Sequence, residues 1–224
     1  REAPARQLQG GFRPLLFVNQ QKIFVDRIEL GVVKNFFEAR ELLRQCLASV
    51  YATTQELDFE VWVVDNGALR RLYHTGGALD ARHLQAKAEI AAGARYLGEQ
   101  AGHASRALAV VGFSLGAYYA LDLSAADPEH IRSVVLYYGT GLADFSRSQA
   151  SYLGHFAGQD AYEPESNVTE LEAELRLAGR PVTFHRYAGA GHWFCEPDRL
   201  DAYDLDAARL AWERTLAFLR DTLG

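Results

Sequence analysis

Two short stretches with almost no polar side chains constrain this chain most. Ala107–Gly112 and Ser133–Tyr138 are too short for buried helices and lack the polar–apolar alternation of a half-exposed strand. Segments of that kind read as central strands of a parallel sheet, covered by other elements on both faces. Leu15–Asn19, Glu60–Asp65, Ser151–Ala157 and Val182–Tyr187 are expected as further strands.

Helical spacing fills the intervals. Lys34–Val50 reads as one helix, and Arg82–Gln100 as another with Ala86, Ile90, Ala94 and Leu97 on one face. Pro164–Ala178 sets Val168, Leu171, Leu175 and Ala178 on a stripe, has proline in its first turn and stops at Gly179. A last helix, Asp204–Arg220, is expected to turn Leu205, Ala208, Trp212, Thr215 or Leu216, and Leu219 inward. Its acidic first turn and Arg220 in its last suit the helix dipole. Strand–helix alternation of this kind predicts an α/β fold, a mainly parallel sheet with helices on both faces. The 224 residues suit one domain over 1–224, since no repeat, biased tract or Pro/Gly/Ser-rich linker divides them.

Charge narrows the partners. A formal net charge of −6 gives no electrostatic attraction to nucleic acid or to an anionic membrane surface. No apolar run approaches the roughly 18 residues that span a bilayer, and Arg1-Glu2-Ala3-Pro4 carries no apolar signal segment. Two cysteines, Cys46 and Cys195, are too few for a disulfide framework, though a single bridge between them stays open. A reduced, cytoplasmic setting is the expectation. The seven histidines show no paired Cys/His spacing of the zinc type, so no metal is expected.

The chemistry enters at Gly112-Phe113-Ser114-Leu115-Gly116, where the first of the two apolar runs meets a helix. G-x-S-x-G on a strand-to-helix turn lifts a serine above the carboxyl edge of a sheet and aims the next N–H at an oxygen bound there. With 19 glycines in the chain, the pentapeptide alone is modest support; a glycine-lined packing turn would look the same. A serine nucleophile also needs a base, and the base an orienting acid, each from loops at the same edge. Asp160 in Ala157-Gly158-Gln159-Asp160 and His192 in Gly189-Ala190-Gly191-His192 follow two later strands and complete the order Ser114, Asp160, His192.

Each has an alternative reading. Asp160 can simply open the turn before the next helix, and His192 can be a hydrogen-bonded polar residue in a glycine loop. Asp144, also beyond a strand end, is the rival acid. His185 and His155 fall inside strands, and His103 and His130 lie on the wrong side of theirs.

The three segments around Ser114, Asp160 and His192, with the closing Trp212–Leu219, resemble the dienelactone hydrolase family. Gln21-Lys22-Ile23-Phe24-Val25 corresponds more weakly to that family's oxyanion-loop run. The resemblance implies a compact α/β-hydrolase fold without a large lid, and a cofactor-free triad that opens small esters or lactones. Ser114 becomes the nucleophile, Asp160 the acid and His192 the base, with the N–H groups of Leu115 and Ile23 as oxyanion hole. The natural partner is then a small-molecule ester or lactone, the chain acting as monomer or homodimer.

Three departures matter. Members that open dienelactone use cysteine where Ser114 stands. The glutamate beside the nucleophile falls on Lys22. The substrate-carboxylate arginine, four residues after the histidine, falls on Glu196. A carboxylate there repels an anionic lactone, so a neutral ester or lactone fits better. Lys22, Tyr138, Trp193 and Phe194 are candidate pocket residues, with core packing the alternative for the aromatic ones and a solvated head for Lys22. A non-catalytic binding protein on the same scaffold, or an acyltransferase using the same residues, are the competing functions.

Overall fold

The computed structural model describes residues 15–18, 61–63, 79–100, 107–197 and 199–223. The helix expected over Lys34–Val50 lies outside them. Six strands pair throughout in parallel, β1 Leu15–Val18, β2 Val61–Val63, β3 Leu108–Phe113, β4 Ile131–Tyr137, β5 Ser151–Gln159 and β6 Val182–Gly191, in the order β2-β1-β3-β4-β5-β6. Four helices complete the described elements: α1 Leu79–Gln100, α2 Leu115–Ala126, α3 Glu165–Leu177 and α4 Leu205–Leu223.

The strands β3 and β4 lack a polar face because both of their faces are covered. Leu108, Val110, Val134, Leu136, Tyr152 and Phe156 point to one side and pack with Ala86 and Ile90 of α1, Leu121 of α2, and Val168, Leu171 and Leu175 of α3. Their neighbours Ala109, Val111, Val135, Tyr137 and Leu153 point the other way, toward Ala211, Leu219 and Leu223 of α4. This is the period of two expected of strands, with an apolar partner on each side. Each fully buried aliphatic side chain contributes roughly 1.5–3 kcal/mol.

The stripes read from sequence hold on α1 and α3, where Ala86, Ile90, Ala94, Val168, Leu171 and Leu175 are buried; Leu97 lies outside the described side chains. On α4 the face differs. Ala211, Thr215, Leu216, Leu219 and Leu223 are buried, whereas Leu205 is 64% exposed and Ala208 only half-buried. The inward face runs through Ala207, Ala211, Thr215 and Leu219, which leaves Leu205 beside the core and not in it.

The most consequential difference lies in β6. The expected strand stops at Tyr187, but pairing continues to Gly191, opposite Gln159. Ala188-Gly189-Ala190-Gly191 has little intrinsic strand preference, which hid this extension. Close approach explains the small residues: a Cβ on Gly158 would meet the Ala188 Cα at 2.6 Å. The extension carries His192 to the carboxyl edge of the sheet. Cys195 is a free thiol. Among the described residues, no helix is long and apolar enough to cross a membrane.

Candidate active site

Ser114 sits between β3 and α2 with φ 51° and ψ −119°. A non-glycine residue with positive φ is sterically disfavoured, at a cost of about 1–3 kcal/mol, and persists only where its surroundings enforce it. Here they do. The Ser114 N–H donates to the Tyr137 carbonyl at 2.8 Å, and the Ser114 carbonyl accepts the Ala117 N–H at 2.9 Å. Gly112 is required because a Cβ there would lie 2.5 Å from the Gly116 carbonyl oxygen. Gly139 is required for a reason not apparent in sequence: a Cβ on it would overlap the Ser114 carbonyl itself. The turn is therefore clamped from its own helix and from the end of the neighbouring strand.

Its hydroxyl faces His192. Ser114 Oγ lies 2.9 Å from His192 Nε2, and His192 Nδ1 lies 2.8 and 2.9 Å from the two Asp160 carboxylate oxygens. The His192 and Asp160 side chains are 5% and 3% exposed. Asp160 Oδ1 also accepts the backbone N–H groups of Tyr162 and Glu163 at 2.8 and 2.9 Å. Burial works to raise this carboxyl, but the hydrogen bonds from His192, Tyr162 and Glu163 outweigh it and leave the group below its ordinary value. An ionised Asp160 accepts only, so Nδ1 carries the ring proton and Nε2 is left to accept from the serine hydroxyl. Asp160 both opens the turn before α3 and hydrogen-bonds the imidazole.

Leu115 is the first residue of α2, and N–H groups in a first helical turn have no intrahelical acceptor. The group beside the serine is thus available to an oxygen, with the positive end of the helix dipole behind it. Ile23 and Lys22 lie outside the described residues, as does His103. The rival acid Asp144 is exposed and accepts from the Ser146 hydroxyl at 2.5 Å. His130 pairs with Asp127 at the opposite end of the sheet. His155 is buried under α4, hydrogen-bonded to Tyr187 Oη and Thr215 Oγ1 at 2.9 and 3.0 Å.

Three rings surround the imidazole: Trp193, Tyr138 and Tyr162, with centroids 4.6, 4.9 and 5.1 Å from that of His192. Tyr138 and Phe194 have no exposed surface; Phe194 packs among Tyr138, Tyr187 and Ala211 in the core beneath α4. Trp193, half-buried with φ 67°, packs at a tilt against Tyr162 and lies under the Arg199 guanidinium at 3.8 Å. Arg199 is held in turn by Asp201. A cleft of about 650 Å³ opens beside His192, lined by Tyr162, Trp193, Tyr203 and Leu205 among others, on the His192 side and not the Ser114 side.

Sequence reasoning missed Tyr162, an exposed turn tyrosine with no distinguishing pattern, and the role of Gly139. Among the described residues, the three non-glycine residues with positive φ, Ser114, Tyr138 and Trp193, fall at this one edge. Among the described residues, no group of three or more His, Cys, Asp or Glu side chains could hold a metal ion.

The sequence profile of the dienelactone hydrolase family matches residues 68–223. A Bradyrhizobium protein named as a probable 2-oxo-3-(5-oxofuran-2-ylidene)propanoate lactonase is 31% identical over 145 residues, 59% of this chain and 57% of its own length. The chain therefore matches little more than half of that relative. Among solved structures, a dienelactone hydrolase-like promiscuous phosphotriesterase from metagenomic libraries superimposes with a TM-score of 0.69 at 18% identity, covering 96% of this chain and 88% of that one. An α/β-hydrolase enzyme from a Medee basin deep-sea metagenome library gives 0.66 at 17% identity, covering 95% and 85%. At such identities the likeness shows the fold, an α/β-hydrolase fold. With the family profile spanning well over half of the sequence, the chain belongs to the dienelactone hydrolase family.

Proposed function

We propose that this protein is a serine hydrolase that cleaves a small, uncharged carboxylic ester or lactone through an acyl-enzyme. The observation that carries the reading is the continuous hydrogen-bonded path from Ser114 through His192 to Asp160, starting on a strained turn. His192 Nε2 takes the hydroxyl proton as Ser114 Oγ forms its bond to the carbonyl carbon. Asp160 keeps the imidazole in the required tautomer and offsets its charge once protonated. The carbonyl oxygen, now negative, accepts from the Leu115 N–H; the Ile23 N–H is the second donor by family resemblance. Loss of one such donor costs about 3 kcal/mol of barrier. His192 then passes its proton to the departing alkoxide as the C–O bond breaks. Water, deprotonated by the same nitrogen, releases the acid and restores Ser114.

Two features support an uncharged substrate. Glu196 stands where the family resemblance places a substrate-binding arginine, and the chain as a whole carries a net charge of −6. The Bradyrhizobium relative is named for a lactone that is itself a carboxylate. Lactone opening carries over to this chain more readily than that anion does.

Intact-mass labelling with a small fluorophosphonate tests the assignment. Stoichiometric modification that maps to Ser114 and is lost in His192→Ala is the expected result. A folded protein that stays unlabelled would overturn it in favour of a binding protein on a hydrolase scaffold. If labelling succeeds, the product distribution from an ester with and without added alcohol separates hydrolysis from acyl transfer.

A further inference from the structure

Glu196 has a partner inside the protein. The Tyr138 phenol donates to its Oε1 at 3.0 Å. Tyr138 lies between the two residues that clamp the serine turn, since the Tyr137 carbonyl accepts the Ser114 N–H and Gly139 abuts the Ser114 carbonyl. It has no exposed surface, and its N–H donates to the His155 carbonyl at 2.8 Å. Its backbone has φ 38°, a strained value for a tyrosine, and its ring packs against both His192 and Phe194, with centroids 4.9 and 5.5 Å away. Glu196 is half-buried, and its N–H donates to the Trp193 carbonyl at 2.8 Å, closing the turn that follows His192.

From these contacts we infer that Tyr138 and Glu196 form a strut that fixes His192 against Ser114. They are positioning residues, acting through the imidazole without touching substrate; this rests on the reading of Ser114 and His192 as nucleophile and base. The phenol supports the base ring from below, and the carboxylate pins the far end of the base's turn to it. A bond from a neutral O–H to a carboxylate is charge-assisted and stronger than its neutral counterpart. Burial, and next the Glu196 charge, hold the Tyr138 phenol well above its ordinary value, so it remains a donor at any working pH. The departure at position 196 thus has an internal use: the carboxylate there braces the base.

The test compares Tyr138→Phe, Glu196→Gln, Glu196→Ala and the double variant Tyr138→Phe/Glu196→Ala. The readouts are the kcat and KM of a neutral aryl ester and the rate of fluorophosphonate labelling at Ser114. Small misplacements of reacting groups cost about 10- to 100-fold. Tyr138→Phe and Glu196→Ala are expected to lower kcat and the labelling rate by about 10-fold, with KM within about twofold. Glu196→Gln keeps an oxygen to accept the phenol proton and should recover most of the loss. The double variant should be no worse than the poorer single one, because both sever the same bond.

Wild-type labelling rates in Tyr138→Phe would overturn the strut. So would an effect of Glu196→Ala on KM alone, which would mark Glu196 as a substrate contact. Should Tyr138→Phe fail to fold, the difference between Glu196→Gln and Glu196→Ala decides. Failure of the wild-type protein to label overturns the hydrolase reading, whereas a labelled wild type with unaffected variants overturns only the strut.

Discussion

Single residues at the sheet edge differ in how openly they declare themselves. Gly112 and Ser114 are readable because the constraint between them is local: one turn, one pentapeptide, one helix start. Asp160 was readable by position but ambiguous in role, since a turn-opening aspartate and an orienting acid look alike until the imidazole is seen 2.8 Å away. Asp160→Asn is expected to preserve the fold but lower kcat by about four orders of magnitude, as an amide in that place favours the wrong tautomer; steady-state kinetics with unchanged thermal melting checks it. Gly139 was opaque, because the atom it must avoid belongs to Ser114, on the adjoining strand's turn. Gly139→Ala should cost about 1–3 kcal/mol of stability by overpacking, measured by urea unfolding, and should slow Ser114 labelling as well. Equal stability and equal labelling would show that the two turns are not clamped together.

Elements bring these residues to one edge, and their lengths decide the outcome. Had β6 stopped at Tyr187, His192 would hang from the loop 188–191; pairing to Gly191 gives it a rigid base instead. Under α4, β5 buries His155 between Tyr187 and Thr215. Burial, helped by the nearby His185 and Arg214 charges, drives the His155 pKa well below the usual 6.5. The sign follows directly. Below about pH 6.5 the unfolded chain takes up a proton that the folded chain refuses, so stability falls as pH falls. The loss approaches about 1.4 kcal/mol per pH unit until the depressed folded value is reached. Urea unfolding at neutral and mildly acidic pH should show this slope, and His155→Gln should flatten it; an unchanged slope would contradict the burial argument. On α4, Leu205→Glu should leave stability within about 0.5 kcal/mol, since the side chain is exposed, whereas Leu219→Ala should cost about 2–5 kcal/mol.

At the scale of the whole molecule, charge is the property that reaches furthest. A net charge of −6 slows the approach of an anionic ester and leaves a neutral one indifferent. Raising ionic strength from about 0.01 to 0.15 M shortens the screening length from roughly 30 to 8 Å. The kcat/KM for a carboxylate-bearing ester should therefore rise with salt, while that of its neutral analogue stays flat; equal salt responses would remove charge from the account of selectivity. By itself the sequence determined the parallel α/β architecture, the serine turn, the order Ser114, Asp160, His192 along the chain and the family resemblance. Each of those is written in residues close together, as a periodicity, a pentapeptide or a strand-end motif. Only the tertiary structure decided that Ser114 and His192, 78 positions apart, come within a hydrogen bond, or that Tyr138 and Glu196, 58 apart, do the same. Those meetings depend on the registers of β3 against β4, β4 against β5 and β5 against β6. Register is settled by packing between distant segments, where a small shift along a strand separates partners that no local pattern connects.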